Sequence, residues 1–119
     1  MKSDSAERAV LGHARAMLAG EIDLVLGCRE IVRWATELPR LRSLDEPLNV
    51  LRAVESETDD LPLGDVRKHW ASDALSAKDR EAQRYLERCK PELLTACSQL
   101  VEALEHLRAA AEGSEERNK

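Results

Sequence analysis

The chain has no phenylalanine, one tyrosine and two tryptophans among its 119 residues. A core assembled from it must be filled by aliphatic side chains. Leucine occurs eighteen times, against nine valines and isoleucines together. The branched and aromatic residues that suit a pleated sheet are therefore scarce, whereas leucine keeps most of its rotamer freedom in a helix. Five glycines and four prolines leave few places for turns. These shortages predict an all-α fold. Three cysteines, Cys28, Cys89 and Cys97, are odd in number and lack C-x-x-C spacing, which excludes a disulfide framework or zinc knuckle and predicts buried thiols. No segment approaches the roughly 20 apolar residues of a membrane span, and MKSDSAERAV lacks a signal-peptide apolar run. The sequence thus predicts a cytoplasmic protein without a membrane partner. Its length suits one domain over residues 1–119 with one core, frayed at 1–4 and 112–119.

Basic residues are missing from one stretch. Residues 55–66 carry five acids, Glu55, Glu57, Asp59, Asp60 and Asp65, and no base, so the rest of the chain holds eighteen residues of each sign. The formal net charge of -5 resides in this segment. Such a balance disfavours non-specific binding to nucleic acid or an anionic membrane, since both would repel it, and leaves basic proteins or cations as partners.

Along the chain, Ser3, Asp4 and Ser5 offer capping oxygens before an apolar stripe of Ala6, Ala9, Val10, His13, Ala14, Met17 and Leu18. That helix should stop at Gly20. His13, without a ligand-type neighbour one turn away, reads as a structural or surface histidine. A second helix is predicted over residues 21–38, with Ile22, Val25, Cys28, Val32 and Ala35 near a seven-residue repeat and Pro39 as its end. Arg29 on its flank is placed to face the acidic segment if the two pack together, and Arg33 reads as solvated. Asp45 is the predicted cap of a third helix, whose apolar face is Leu48, Leu51 and Val54 and whose pattern fades by Glu57. Residues 61–64, Leu-Pro-Leu-Gly, form a turn, and a short helix from Asp65 would carry Val66, Arg67 and Trp70. A last helix opens near Ser76 and Asp79 and runs toward Lys90, where Pro91 should kink or break it. Beyond it, Leu93, Cys97, Leu100, Leu104 and Leu107 alternate spacings of four and three, a bundle-core stripe that Leu86 extends backwards. The predicted fold is a compact antiparallel bundle of four or five helices, the last long and kinked near Pro91, with the loop over residues 59–64 crossing one end.

Three chemistries compete for the acidic segment. As a divalent-cation loop it fails, because the glycine arrives too late for an EF-hand register. No metal and no cofactor are predicted. As an acid-base site, Glu57 and Asp59 would act with His69. Yet there is no G-x-S-x-G elbow, no phosphate-binding glycine loop and no paired Cys and His. The remaining readings are structural or interactive: Glu57 or Asp59 bonds the backbone of the turn while Arg67 or Arg29 forks a partly buried acid, or the acids face a partner. Trp70 reads as a core or rim aromatic.

Ser56-Glu57-Thr58-Asp59, Leu61-Pro62, Gly64, Arg67 and Trp70, with Gly20, Ile22 and Gly27-Cys28-Arg29 upstream, resemble a family of small uncharacterised bacterial proteins. The shared string is S-E-T-D-x-L-P-x-G-x-x-R-x-x-W, and the resemblance spans roughly residues 18–70 plus a loosely similar C-terminal helix. It implies a single helical domain and no particular activity. In size and helical make-up the chain is also similar to immunity proteins that neutralise bacterial toxins, an analogy of architecture and not of motif.

The sequence therefore predicts a non-enzymatic bacterial protein-binding module, an immunity or adaptor protein that offers a negative patch to a basic partner. Its contact residues are Glu55, Glu57, Asp59, Asp60 and Asp65, with Arg67 and Trp70 shaping the site. The alternative is a small enzyme or divalent-metal-dependent hydrolase using Glu57, Asp59 and His69. A third arrangement makes the acids a solvated face and the C-terminal helix the seam of a homodimer.

Overall fold

In the computed structural model, residues 2–60 and 68–117 are described, with side chains over 4–60 and 68–111. Their regular structure is helical: α1 (Lys2–Leu18), α2 (Leu24–Ala35), α3 (Arg42–Glu57) and α4 (Ser72–Arg117). The turn over 61–64 and the start of the short helix expected from Asp65 fall outside the described residues.

The helix ends show how local chemistry overrode the expected boundaries. α1 already includes Ser3 and Ser5, and Asp4 lies in its first turn, where a negative charge opposes the unpaired amides. It closes as expected at Gly20, which takes φ +73°, the left-handed conformation that glycine tolerates. The amides of Gly20 and Glu21 then donate back to Met17 and Ala16 at 3.2 and 2.9 Å. α2 is shorter than residues 21–38, because Asp23 caps it by accepting from the Leu26 amide at 3.0 Å. At its far end the chain unwinds at Thr36 through turns that still place Leu38 in the core. α3 begins before Asp45, since the Leu41 carbonyl accepts from the amides of Leu44 and Asp45 at 3.0 and 2.8 Å. Asp45 becomes a first-turn acid, paired with Arg40 at 3.6 Å.

α4 runs from Ser72 to Arg117 as one helix of 46 residues and passes through Pro91 without a break. Proline removes the bond that would reach the carbonyl of Glu87. Both Pro91 and Glu87 are exposed, so water can serve that carbonyl and the interruption is tolerated. At about 1.5 Å per residue a helix of this length spans roughly 60–70 Å. It sets the long dimension of a molecule measuring 63 × 26 × 23 Å.

The other helices are about a third as long, and of these α1 and α3 pack on α4. Each helix touches its neighbours in a ring, α1 on α2, α2 on α3, α3 on α4 and α4 on α1. Arg108 pairs with Asp4 at 2.9 Å, and Cys97 meets Met17 near the other end of α1, so α1 and α4 run in opposite directions. The core holds Val10, Met17, Ile31, Leu44, Leu48, Leu51, Leu93, Leu100 and Leu104. No residue of α4 before Leu93 is fully buried; Tyr85, Leu86 and Cys89 lie half-buried against the core's edge. No helix among the described residues is long and apolar enough to cross a membrane.

One close approach is set by a missing side chain. Gly27 is buried in the middle of α2, and a Cβ there would lie 2.5 Å from the Met17 sulfur and 2.6 Å from its Cγ. Alanine would gain about 1 kcal/mol of helix propensity but forces a core clash of about 1–3 kcal/mol. We expect Gly27→Ala to lower stability in urea denaturation in spite of its better propensity. Combining it with Met17→Ala should cost less than the two single losses added together, because the second change frees the space the first demands.

Candidate functional site: the acidic turn after α3

The site begins with the inward face of α3. Leu51 and Val54 point into the core, and Thr58, four residues after Val54, falls on the same side. Thr58 is only 2% exposed, the one polar residue so buried among those described. Its hydroxyl donates to the Val54 carbonyl at 2.6 Å, and its amide donates to the same carbonyl at 3.1 Å. Its own carbonyl accepts from the Arg29 guanidinium at 2.6 Å. The polar groups of a buried turn residue are thereby satisfied, as burial requires.

With Thr58 held inward, its neighbours point out. Glu57, Asp59 and Asp60 are exposed and Glu55 is half-buried. Neither Glu57 nor Asp59 forms an ion pair with another described residue, whereas Asp60 is paired with Lys78 on α4. The hydrogen bond from Lys78 holds the Asp60 carboxyl below its ordinary value of 3.8 and lifts the Lys78 ammonium above its own. Because the folded carboxyl is the more acidic one, the pair stabilises the fold above the unfolded carboxyl's range. Its contribution disappears as pH falls through the lowered folded value. Both groups face solvent, which screens the pair and keeps its effect small.

Between this turn and α4 lies a cleft of about 130 Å³ lined by Glu57, Thr58, Asp60, Glu81, Ala82, Tyr85 and Arg88. Three carboxylates face one guanidinium across it. Burial raises the Tyr85 phenol above its usual range, and the Cys89 thiol and the Glu57 carboxylate push it in the same direction. Tyr85 is therefore a neutral hydrogen-bonding group at physiological pH.

The expected site residues divide accordingly. Glu55, Glu57, Asp59 and Asp60 share one turn at the end of α3, and Asp65 and Arg67 fall outside the described residues. Trp70 is half-buried at a bend that follows a single 3₁₀ turn at residues 68–69. Arg29 does reach the acidic segment, as its position on α2 suggested, but it grips a backbone carbonyl as well as facing the acids. Arg33 pairs with Glu30 at 3.6 Å from an exposed position. The cleft contains Glu57 but neither Asp59 nor the exposed His69. Among the described residues no group of three or more His, Cys, Asp or Glu side chains is arranged to hold a metal ion. Lys78, Glu81, Tyr85 and Arg88 were missed by sequence reasoning. Their signal was the stripe Leu75, Ala82, Leu86 and Cys89, which continues the core register of α4 and aims this stretch at the turn. No protein-family model, no curated protein and no solved structure matches the chain.

Thr58→Val preserves shape but removes the bond to Val54, so we expect a loss of about 1 kcal/mol in urea denaturation. The amides of residues 57–60 should show larger NMR shift changes than those of the α1–α4 contact.

Proposed function

We propose that the chain is a non-enzymatic protein-binding module that presents the acidic turn to a basic partner. The observation that supports this reading most is the alternation at the turn. Thr58 is buried and bonded on both sides, while Glu57 and Asp59 stand exposed and without ion pairs to other described residues. A carboxylate on a fixed backbone is already positioned, so a partner ordering it gives up less conformational freedom. Its field also speeds encounter with a positive surface and selects against negative ones. A basic side chain entering the cleft beside the turn would meet Glu57, Asp60 and Glu81 together.

In this reading Glu55, Glu57, Asp59, Asp60 and Asp65 form the negative rim and Arg67 and Trp70 shape its edge. The protein belongs to the bacterial family it resembles and acts in the cytoplasm as an immunity or adaptor protein. The helices form an antiparallel bundle, and α4 bends near Pro91 where the proline removes a backbone bond.

The test is affinity capture from the native host with the wild type and with a Glu57→Gln, Asp59→Asn variant, after equal thermal melts have been established. We expect the wild type to retain a specific basic protein, with affinity falling as salt is raised and at least about tenfold weaker for the variant, a factor equivalent to 1.4 kcal/mol. Equal retention by both proteins contradicts the reading.

A further inference from the structure

The packing of α4 changes at its proline. The fully buried residues of this helix begin at Leu93, two positions past Pro91. Before the proline, Tyr85, Leu86 and Cys89 are half-buried against the core's edge, and most side chains from Ser72 to Lys90 are exposed. Pro91 has no amide to donate to the Glu87 carbonyl, so the backbone ladder is one bond short at the same place. Proline is also where helices most often kink. The loosely packed half is tied across the cleft by charge, because Lys78 pairs with Asp60 of the acidic turn. Lys78 has a second carboxylate on its own helix, Glu81 at 3.8 Å. It can therefore leave Asp60 and keep an acid beside it.

We propose that residues 72–90 form an arm hinged at Pro91 and latched to the acidic turn by Lys78, whose release from Asp60 opens the cleft between them. With the arm closed, Glu81, Tyr85 and Arg88 make one wall of that cleft and Glu57 and Asp60 the other. When the arm opens, its wall moves away as a helix with its internal backbone bonds intact, and Tyr85, Leu86 and Cys89 come into water. Two contributions hold it shut. The ion pair joins solvent-facing groups and contributes little, and the half-buried apolar surface contributes in proportion to its area. Neither approaches the cost of exposing Leu93, Leu100 and Leu104, so the arm opens while the core stays closed. Lys78 thus occupies at Asp60 the place that a basic group of a partner would take, and acts as an internal competitor for it. That competition rests on the acidic-turn reading, whereas the movement of the arm does not.

The native thiols are placed to test the hinge, because Cys89 rides on the arm while Cys28 and Cys97 are buried in the core. The folded protein is alkylated with iodoacetamide at urea concentrations below its unfolding transition, and each cysteine is followed by peptide mass spectrometry. We expect Cys89 to react faster than Cys28 or Cys97 and with a shallower urea dependence, since opening the arm exposes less surface than unfolding. Lys78→Met keeps the stem and removes the charge, and should speed Cys89 about two- to fivefold, the range of an exposed ion pair. Adding Asp60→Asn to that variant should change the rate little further, because both substitutions break one pair. Pro91→Ala restores the bond to Glu87 and should slow Cys89 at least about twofold. The measurement uses the protein alone, so its failure is distinct from a failure to capture a basic partner. A Cys89 rate unchanged in either Lys78→Met or Pro91→Ala overturns the proposal, as does a Cys89 that shares the urea dependence of Cys97.

Discussion

The hydrogen bond from Arg29 to the carbonyl of Thr58 is the contact on which the acidic end of the molecule depends. Three helices converge there. Arg29 belongs to α2, Thr58 closes α3, and the cleft beside Thr58 is completed by Tyr85 and Glu81 of α4. A guanidinium donating to a neutral carbonyl is a charge-assisted bond, worth about 1.5–3 kcal/mol. It also brings positive charge to a turn that four described acids crowd. Without it, the exposed carboxylates of residues 57–60 would sit on a turn whose last carbonyl has lost its charged donor.

The long helix imposes the second constraint. Its buried residues begin only at Leu93, while its first half lies along the end of α3 through Lys78, Ala82 and Tyr85. The same element therefore closes the core with one half and walls the acidic cleft with the other. Uninterrupted passage through Pro91 keeps the two halves continuous, and the exposure of Pro91 explains why the sequence permits it.

The helical class and most of the core were legible, because leucine at spacings of three and four leaves little ambiguity in Leu48, Leu51, Leu93, Leu100 and Leu104. Helix ends were less so. The predicted cap at Asp45 ignored the Leu41 carbonyl, and the predicted start at residue 21 ignored the better-placed carboxylate of Asp23. Both errors came from ranking caps by residue type without knowing which backbone groups would be left unpaired. At the site, the acids were visible as charge, and Arg29 as a base on the right flank. The role of Thr58 was not, since a threonine among acids shows its burial only once Val54 is known to share its face. The far wall of the cleft comes from residues more than twenty positions away, and no local pattern in residues 55–60 points to Glu81, Tyr85 or Arg88. Gly27 was likewise visible only as a motif letter; the sulfur of Met17 gives it a reason.

Amide hydrogen exchange on Arg29→Gln, compared with the wild type under native conditions, tests the central claim most directly. If Arg29 fixes the acidic turn, exchange at residues 56–60 should accelerate by about tenfold or more, the factor that 1.4 kcal/mol gives. Amides of residues 96–104 should change much less. Exchange at the turn that rises no more than in the core of α4 would show that Arg29 contributes only to global stability, and that the turn is held by other means.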